Sequence, residues 1–345
     1  MSGPARIRVS LALQGGGAHG AYSWGVLDRL LEDDGIEIAA VSGTSAGALN
    51  AAALKAGLVA GGREAARKRM RALWEEVADI GDFRGHAWMQ PLLPALRFWQ
   101  EMAEQFLPVS PAGLAAQFYS PYSPGAVTEN PLLPVISGLE FDQVCARAEP
   151  ALFIGATNVR TGKVHVFSGD RITPQAILAS ACIPTVFQAV EIDGEAYWDG
   201  GFTGNPSLWP LYQPELPDDI IIVQVNPLQR SAIPHTPLEI QNRVNEISFN
   251  ASLMSELRAI AFVKRLIQEG RVQRGQMKDV RVHMIADDGL MNELSASSKL
   301  QPSGNLIRRL HQAGRDSAQD FLARHRSRLG VDHTVDLGAL FGPAG

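Results

Sequence analysis

Three short clusters in the sequence bring together residue types that can do acyl chemistry. Ser45 stands in Gly43-Thr44-Ser45-Ala46-Gly47, a G-x-S-x-G pattern. A serine in that pattern is a candidate nucleophile when a sharp turn between strand and helix lifts it clear of the backbone. Gly43 and Gly47 let the chain pass closely around it. A helix starting just behind Ser45 favours negative charge developing there. The second cluster is Gly15-Gly16-Gly17-Ala18-His19-Gly20. Successive glycines allow N–H groups to point into a site with no side chain in the way, and an oxyanion needs such donors about 3 Å from it. The third is Asp199-Gly200-Gly201, a carboxylate at a tight turn and a candidate proton acceptor. By itself, Asp-Gly-Gly is also an ordinary loop element.

Other readings of these clusters exist. Gly15, Gly17 and Gly20 also satisfy G-x-G-x-x-G, the dinucleotide fingerprint. That fingerprint wants an acidic residue at the end of the second strand. Here the second strand ends Ala40-Val41-Ser42 and runs into the serine motif, while Asp34 and Glu37 lie at its beginning. A bound dinucleotide is therefore disfavoured. Ser45 would alternatively serve a Ser-His-Asp triad of an α/β-hydrolase. The eight histidines are His19, His86, His165, His235, His283, His311, His325 and His333. None stands in a recognisable catalytic context, and the serine comes early in the chain for that fold. Histidines and acidic residues are scattered without ligand spacing, so neither a metal site nor a cofactor is expected.

The elements that must position these residues follow from apolar periodicity. Val9–Leu13 and Ile36–Val41 read as buried strands, Tyr22–Leu31 and Ala46–Ala56 as helices. Strand, glycine turn, helix, strand, serine turn and helix in that order predict a parallel sheet covered by helices. Ala151–Ala156 and Lys163–Phe167 read as paired strands about a turn at 158–162. Pro174–Ala181 reads as a helix with proline in its first turn. Val190–Trp198 reads as a hairpin that turns at Asp193-Gly194 and delivers the chain to Asp199. Ile220–Val225 and Val280–Ile285 look like two more buried strands, with long helical periodicity over Leu238–Ile267 between them. The C-terminal stretch reads as helical and basic.

Two segments leave their role open. Residues 74–122 hold Trp74, Phe83, Trp88, Phe98, Trp99, Phe106, Phe118, Tyr119 and Tyr122 among several prolines. The segment is too apolar for disorder and too proline-broken for long helices. It reads either as a cap that shapes an acyl pocket or as the packing of an irregular insertion. Residues 61–71, GGREAARKRMR, read either as a headgroup-binding patch or as a solvated helix face.

Composition bounds the rest. The chain has 345 residues, 46% of them hydrophobic and 19% charged, in the range of globular proteins. A net charge of -5 gives no basis for nucleic-acid binding. Cys145 and Cys182 form neither a disulfide framework nor a CxxC motif, which points to a reducing, cytoplasmic setting. The apolar run at Val9–Leu13 is too short for a signal-peptide core. The stretch 36–60 is interrupted by Ser42, Thr44, Ser45, Asn50 and Lys55, so it reads as strand, turn and helix and not as a membrane span.

Together and in this order, the glycine cluster, the serine motif and Asp-Gly-Gly resemble the patatin-like phospholipase family. Ala179-Ser180-Ala181-Cys182-Ile183-Pro184-Thr185-Val186-Phe187 resembles that family's A-S-x-x-x-P-x-x-F stretch. Asn205-Pro206 resembles the pair that follows its D-G-G. The resemblance covers about residues 8–212, taken as a catalytic domain with the insertion 74–122. It implies a three-layer α/β/α fold with a central, mostly parallel sheet. It also implies a serine acyl hydrolase, phospholipase or lipid esterase, with Ser45 as nucleophile, Asp199 as base and Gly15, Gly16 and Gly17 in the oxyanion loop. Gly20, Gly43, Gly47, Gly200 and Gly201 would shape those turns. The implied partner is a lipid or ester substrate, with peripheral membrane contact compatible. A non-catalytic lipid-binding protein on the same fold is the remaining alternative. One position departs from the family pattern: the residue after G-G-G-A is commonly Arg or Lys, and here it is His19. Residues 213–345, including Gln241-Asn242-Arg243-Val244-Asn245-Glu246, resemble the C-terminal extension of a bacterial subgroup. Two of its strands are expected to join the sheet.

Overall fold

The computed structural model describes residues 6–84, 120–122, 130–230, 232–273, 275–294, 298–299 and 301–341. Most of the aromatic- and proline-rich segment, with Trp88 and Phe98, and also His86, lies outside the described residues. Strand β1 (Ile7–Leu13) is followed by helix α1 (Gly20–Leu30), strand β2 (Ile36–Thr44) and helix α2 (Ala46–Arg84). Short helices α3 (Leu133–Ser137) and α4 (Phe141–Val144) lead to strands β3 (Ala151–Asn158) and β4 (Val164–Ser168), then helix α5 (Pro174–Ser180). A hairpin of β5 (Val190–Ile192) and β6 (Glu195–Asp199) comes next. Strand β7 (Asp219–Val223), helix α6 (Pro237–Gln268), strand β8 (Arg281–Ile285) and helices α7 (Asp288–Glu293), α8 (Gly304–His325) and α9 (Leu337–Phe341) complete the order.

The sheet runs β5-β6-β3-β2-β1-β7-β8, with β4 also paired to β3. From β3 through β2, β1 and β7 to β8 every pairing is parallel; β4 and β6 join β3 antiparallel, as β5 joins β6. Strand β7 shows why. Its Asp-Ile-Ile-Ile-Val is buried throughout, the unbroken apolar run of a parallel strand covered on both faces. Ile221 and Val223 enter one core with Leu11 and Leu13 of β1, Leu27 of α1, Leu54 and Met70 of α2 and Leu310 of α8. Ile220 and Ile222 enter a second core with Leu253 and Leu257 of α6 and Leu337 of α9. Two helical layers therefore sandwich a mixed, mostly parallel sheet.

Helix α2 continues well past Ala56, bending at Gly61–Gly62, where Gly62 takes a φ of 75°. Only glycine adopts that angle readily, and with Gly61 also outside helical angles the span is two helical segments joined at a kink. Beyond it, the basic run turns inward. Arg63 donates to the carbonyls of Leu31 (3.1 Å) and Asp33 (2.9 Å), just past the end of α1, where helix carbonyls lack partners. Arg67 binds Asp28 at 2.6 Å and Glu32 at 2.9 Å. Arg63 and Arg67 thus tie α2 to α1, while Arg69 turns to Glu140 at 3.2 Å and Lys68 and Arg71 stay exposed. That is a third use for the run, beside the headgroup patch and the solvated face.

Candidate functional site

Strand β3 acts as the ruler of the site. Thr44, the last residue of β2, lies opposite Gly155, and Asp199, the last residue of β6, lies opposite Ala156. Ser45 follows Thr44 directly. The serine turn and the aspartate, far apart in sequence, are thereby delivered to neighbouring positions at the same end of the sheet, beyond the C-terminal end of a parallel strand where open α/β sheets place their ligands.

Ser45 has a φ of 54°, a left-handed conformation that costs a residue with a side chain about 1–3 kcal/mol. The surroundings over-determine it. The Ser45 N–H donates to Ser180 Oγ at 2.9 Å, and Ser180 Oγ donates to the Gly155 carbonyl at 2.6 Å. Thr44 Oγ1 donates to the Gly204 carbonyl at 2.6 Å. The Ser45 carbonyl accepts from Ala48 N at 2.8 Å and so begins α2. A side chain on Gly43 would strike the carbonyl of Gly47, and one on Gly47 the carbonyl of Leu13. The turn closes only because both positions lack one.

Asp199 is buried, 1% exposed. Its Oδ1 accepts from Gly201 N at 2.7 Å. A side chain on Gly200 would strike the carbonyl of Gly155, and one on Gly201 the ring of Phe249. Burial pushes the Asp199 carboxyl up to about 6, against the opposing pull of the Gly201 N–H and the Ser45 hydroxyl. The hydroxyl is thus near enough to favour the carboxylate, yet Oδ2 has no partner of hydrogen-bond geometry.

The glycine loop runs against Ser45: a Cβ on Gly15 would sit 2.6 Å from Ser45 Cβ. Gly15 N donates to Asn205 Oδ1 at 2.6 Å. Expected among the oxyanion donors, Gly15 is instead the anchor of the loop, since its N–H is already committed. The amides of Gly16 and Gly17 have no acceptor among the described residues. Gly17 sits at a φ of 57°, with the Lys299 carbonyl where a Cβ would lie. Gly20 opens α1, and its carbonyl accepts from Asn50 Nδ2 at 2.9 Å, while Asn50 Oδ1 accepts from Trp74 Nε1 at 2.9 Å. Trp74, the first aromatic of the 74–122 segment, is therefore core packing behind the loop. His19 is 2% exposed and bonds Ser298 Oγ at 2.7 Å through Nε2. Burial, with the Lys299 ammonium next, pushes its pKa down to about 3, while Glu246 opposes. His19 is therefore neutral and gives the loop no fixed charge.

Several supporting residues escaped the sequence reading. Ser180 lies inside the quoted Ala-Ser-Ala-Cys stretch, but nothing local marks it as the brace of Ser45. Gln14 Nε2 donates to Asn250 Oδ1 at 3.0 Å and Gln14 Oε1 accepts from Val225 N at 2.9 Å. Asn226 Nδ2 donates to the Gly15 carbonyl at 2.8 Å. These partners lie some two hundred residues apart, so no spacing signals them.

No described histidine hydrogen-bonds Ser45 or Asp199. His283 does pair with an aspartate, through Nε2 and Asp219 Oδ1 at 2.9 Å. Asp219, however, opens β7, at the strand end opposite to the one that carries Ser45. Among the described residues no group of three or more His, Cys, Asp or Glu is placed to hold a metal ion. No helix among them is long and apolar enough to cross a membrane.

Comparison with solved structures finds VipD from Legionella pneumophila, at 18% identity and a TM-score of 0.42, over 94% of this chain and 68% of that one. It also finds a chain of the complex of full-length SpcU with full-length ExoU from the type III secretion system of Pseudomonas aeruginosa. That match has 17% identity and a TM-score of 0.30, over 90% of this chain and 54% of that one. Among curated proteins none matches significantly. The model of one family, patatin-like phospholipase, matches residues 11–212, a span that begins in β1, ends just before β7 and takes in the glycine loop, the serine turn and the aspartate turn. With more than half its length so matched, the chain belongs to the patatin-like phospholipase family.

Proposed function

We propose that this protein is a serine acyl hydrolase that cleaves carboxylic esters of lipids through a Ser45–Asp199 dyad. The observation that carries the reading is the convergence of three turns. A serine held at positive φ, a buried carboxyl with a raised pKa and a glycine loop packed against that serine meet at one end of the sheet. Ser45 Oγ attacks the ester carbonyl as its proton passes to Asp199. The amides of Gly16 and Gly17 hold the negative charge that develops on the carbonyl oxygen. Collapse of the tetrahedral intermediate breaks the ester C–O bond; Asp199 returns its proton to the leaving alkoxide, and the acyl group stays on Ser45. Water, deprotonated by Asp199, then releases the fatty acid and restores the serine. An ordinary carboxyl near 3.9 is a weak base; one near 6 is better matched to neutral pH. The absence of a described histidine bonded to either residue favours a dyad over a triad.

The test is labelling of the purified chain by a fluorophosphonate, together with hydrolysis of a panel of phospholipids, lysophospholipids, glycerolipids and short esters. Ser45→Ala should abolish both labelling and turnover with unchanged circular dichroism. Retained turnover in a folded Ser45→Ala protein would sink the assignment.

A further inference from the structure

Lys299, in the stretch between α7 and α8, reaches the glycine loop by two routes. Its backbone carbonyl fills the space that a side chain on Gly17 would take. Its Nζ donates to Asn226 Oδ1 at 2.7 Å. Asn226 passes the contact on: its Nδ2 donates to the Gly15 carbonyl at 2.8 Å and to Gln14 Oε1 at 3.3 Å. The Gly15 carbonyl belongs to the same peptide unit as the Gly16 N–H. A donor on that carbonyl draws electron density from the amide and makes its N–H a stronger donor, since hydrogen bonds in a chain polarise one another. A cation at the head of the chain strengthens every link.

We propose that Lys299 is a positioning residue for ester hydrolysis, its ammonium polarising the Gly15–Gly16 peptide through Asn226 and so strengthening the Gly16 amide as an oxyanion donor. The inference rests on the Ser45–Asp199 reading and extends it to a residue outside the span that the family model matches. The neighbouring histidine does not do this work, because His19 is uncharged. The charged groups that face Lys299 are Glu246 of α6 and Arg230 of the preceding loop. Glu246 is buried and held by Arg230 at 2.5 Å and by Arg243 at 3.3 Å, so its charge is already shared. Burial lowers the Lys299 pKa to about 8, with Glu246 pulling it up and Arg230 adding to the push down. The ammonium is therefore present below pH 8 and lost as pH rises through that value. A lysine that merely tethered the 298–299 stretch would support the loop without a titration in the rate.

The test measures the rate of Ser45 phosphonylation by a soluble fluorophosphonate, and kcat and KM on a short soluble ester, from pH 6 to 10. Wild type, Lys299→Met, Lys299→Arg and Ser45→Ala are compared, with folding checked by circular dichroism. Wild-type rates should fall as pH rises through about 8. Lys299→Met should lower kcat about tenfold, less than outright loss of an oxyanion donor, leave KM within about twofold, and show no alkaline limb. Lys299→Arg should restore kcat and carry the limb beyond pH 10. If Lys299→Met fails to fold, the wild-type limb and its displacement in Lys299→Arg still decide. A wild-type rate flat from pH 7 to 9.5, or a limb unchanged in either Lys299 variant, overturns the proposal. If Ser45→Ala labels as fast as wild type, the dyad reading has failed, and this inference falls with it.

Discussion

Asp199 concentrates the conflict between stability and chemistry in one side chain. Its carboxyl holds a proton more tightly in the folded protein, to about pH 6, than in the unfolded chain, near 3.9. The sign follows: folding suffers no penalty below the unfolded value, and the full penalty appears once pH has risen through 6. The gap corresponds to about 3 kcal/mol. Asp199→Asn removes the buried charge and keeps the shape, so it should raise the melting temperature at pH 8 and leave it nearly unchanged at pH 4. The same variant should lose about 10²–10⁴-fold in kcat/KM, because an amide cannot accept the proton. For the wild type, kcat/KM should climb as pH rises through about 6. A melting shift equal at both pH values would show that burial of Asp199 carries no such penalty, and near-normal activity would show that it is not the base.

Helix α8 carries the C-terminal residues onto the part of the chain that the family model matches. It packs on α1 with almost no separation at two points: a side chain on Gly25 would strike the carbonyl of His311, and one on Gly314 the carbonyl of Tyr22. Beside this contact, Asp28 of α1 binds Arg67 of α2 and Arg315 of α8. Burial works to raise the Asp28 pKa, but hydrogen bonds from His311, Arg67 and Arg315 hold it well below the usual carboxylate range. That clamp is present above the unfolded carboxylate pKa and weakens only in strong acid. Because α1 begins at Gly20, directly after the glycine loop, pressure on this contact reaches the site. Gly314→Val should cost about 1–3 kcal/mol or more by overpacking and should lower activity as well. Gly289→Ala, which meets only Asp287 Oδ1 at an ordinary 3.4 Å, is the control. Equal melting temperatures for the two variants would mean that α8 can retreat from α1 freely.

On the scale of the whole molecule, the proposed hydrolysis of lipid esters would bring the end of the sheet that carries Ser45 to a lipid surface. Helix α6 runs past the Asp199 turn, where Phe249 packs on Phe202 at 5.2 Å between ring centroids. N-terminal to that contact, α6 leaves Ile240, Val244 and Ile247 about half exposed, at the i, i+4, i+7 spacing of a single helix face. Ile240→Glu together with Val244→Glu is expected to reduce hydrolysis of phospholipid in vesicles several-fold and to leave a soluble short ester untouched, in line with the loss of buried apolar area at an interface. Vesicle flotation and the two assays check it. Equal loss on both substrates would assign the stripe to folding, and no loss on either would leave the membrane contact elsewhere.

What the sequence determined by itself was local. The turns at Ser45, Asp199 and the glycines were legible because only certain residues accept their geometry, and the candidate roles came from the resemblance of the three clusters in this order to the patatin-like family. The strands were legible because each carries a largely apolar run, unbroken over residues 220–223 of β7. The inward ties of the second segment of α2, past the kink at Gly61-Gly62, were not, since Arg63 and Arg67 meet their partners near α1 only in the fold. Nor did spacing show that Gly15 is an anchor and not a donor, that Ser180 braces Ser45, or that Lys299 reaches the loop through Asn226. Those facts depend on sheet register, above all on Gly155 and Ala156 lying opposite Thr44 and Asp199. They also depend on burial, which moves the pKa values of Asp199, His19 and Lys299. Register and desolvation are properties of contacts between distant segments; they exist only once the chain has folded, and so only the tertiary structure could decide them.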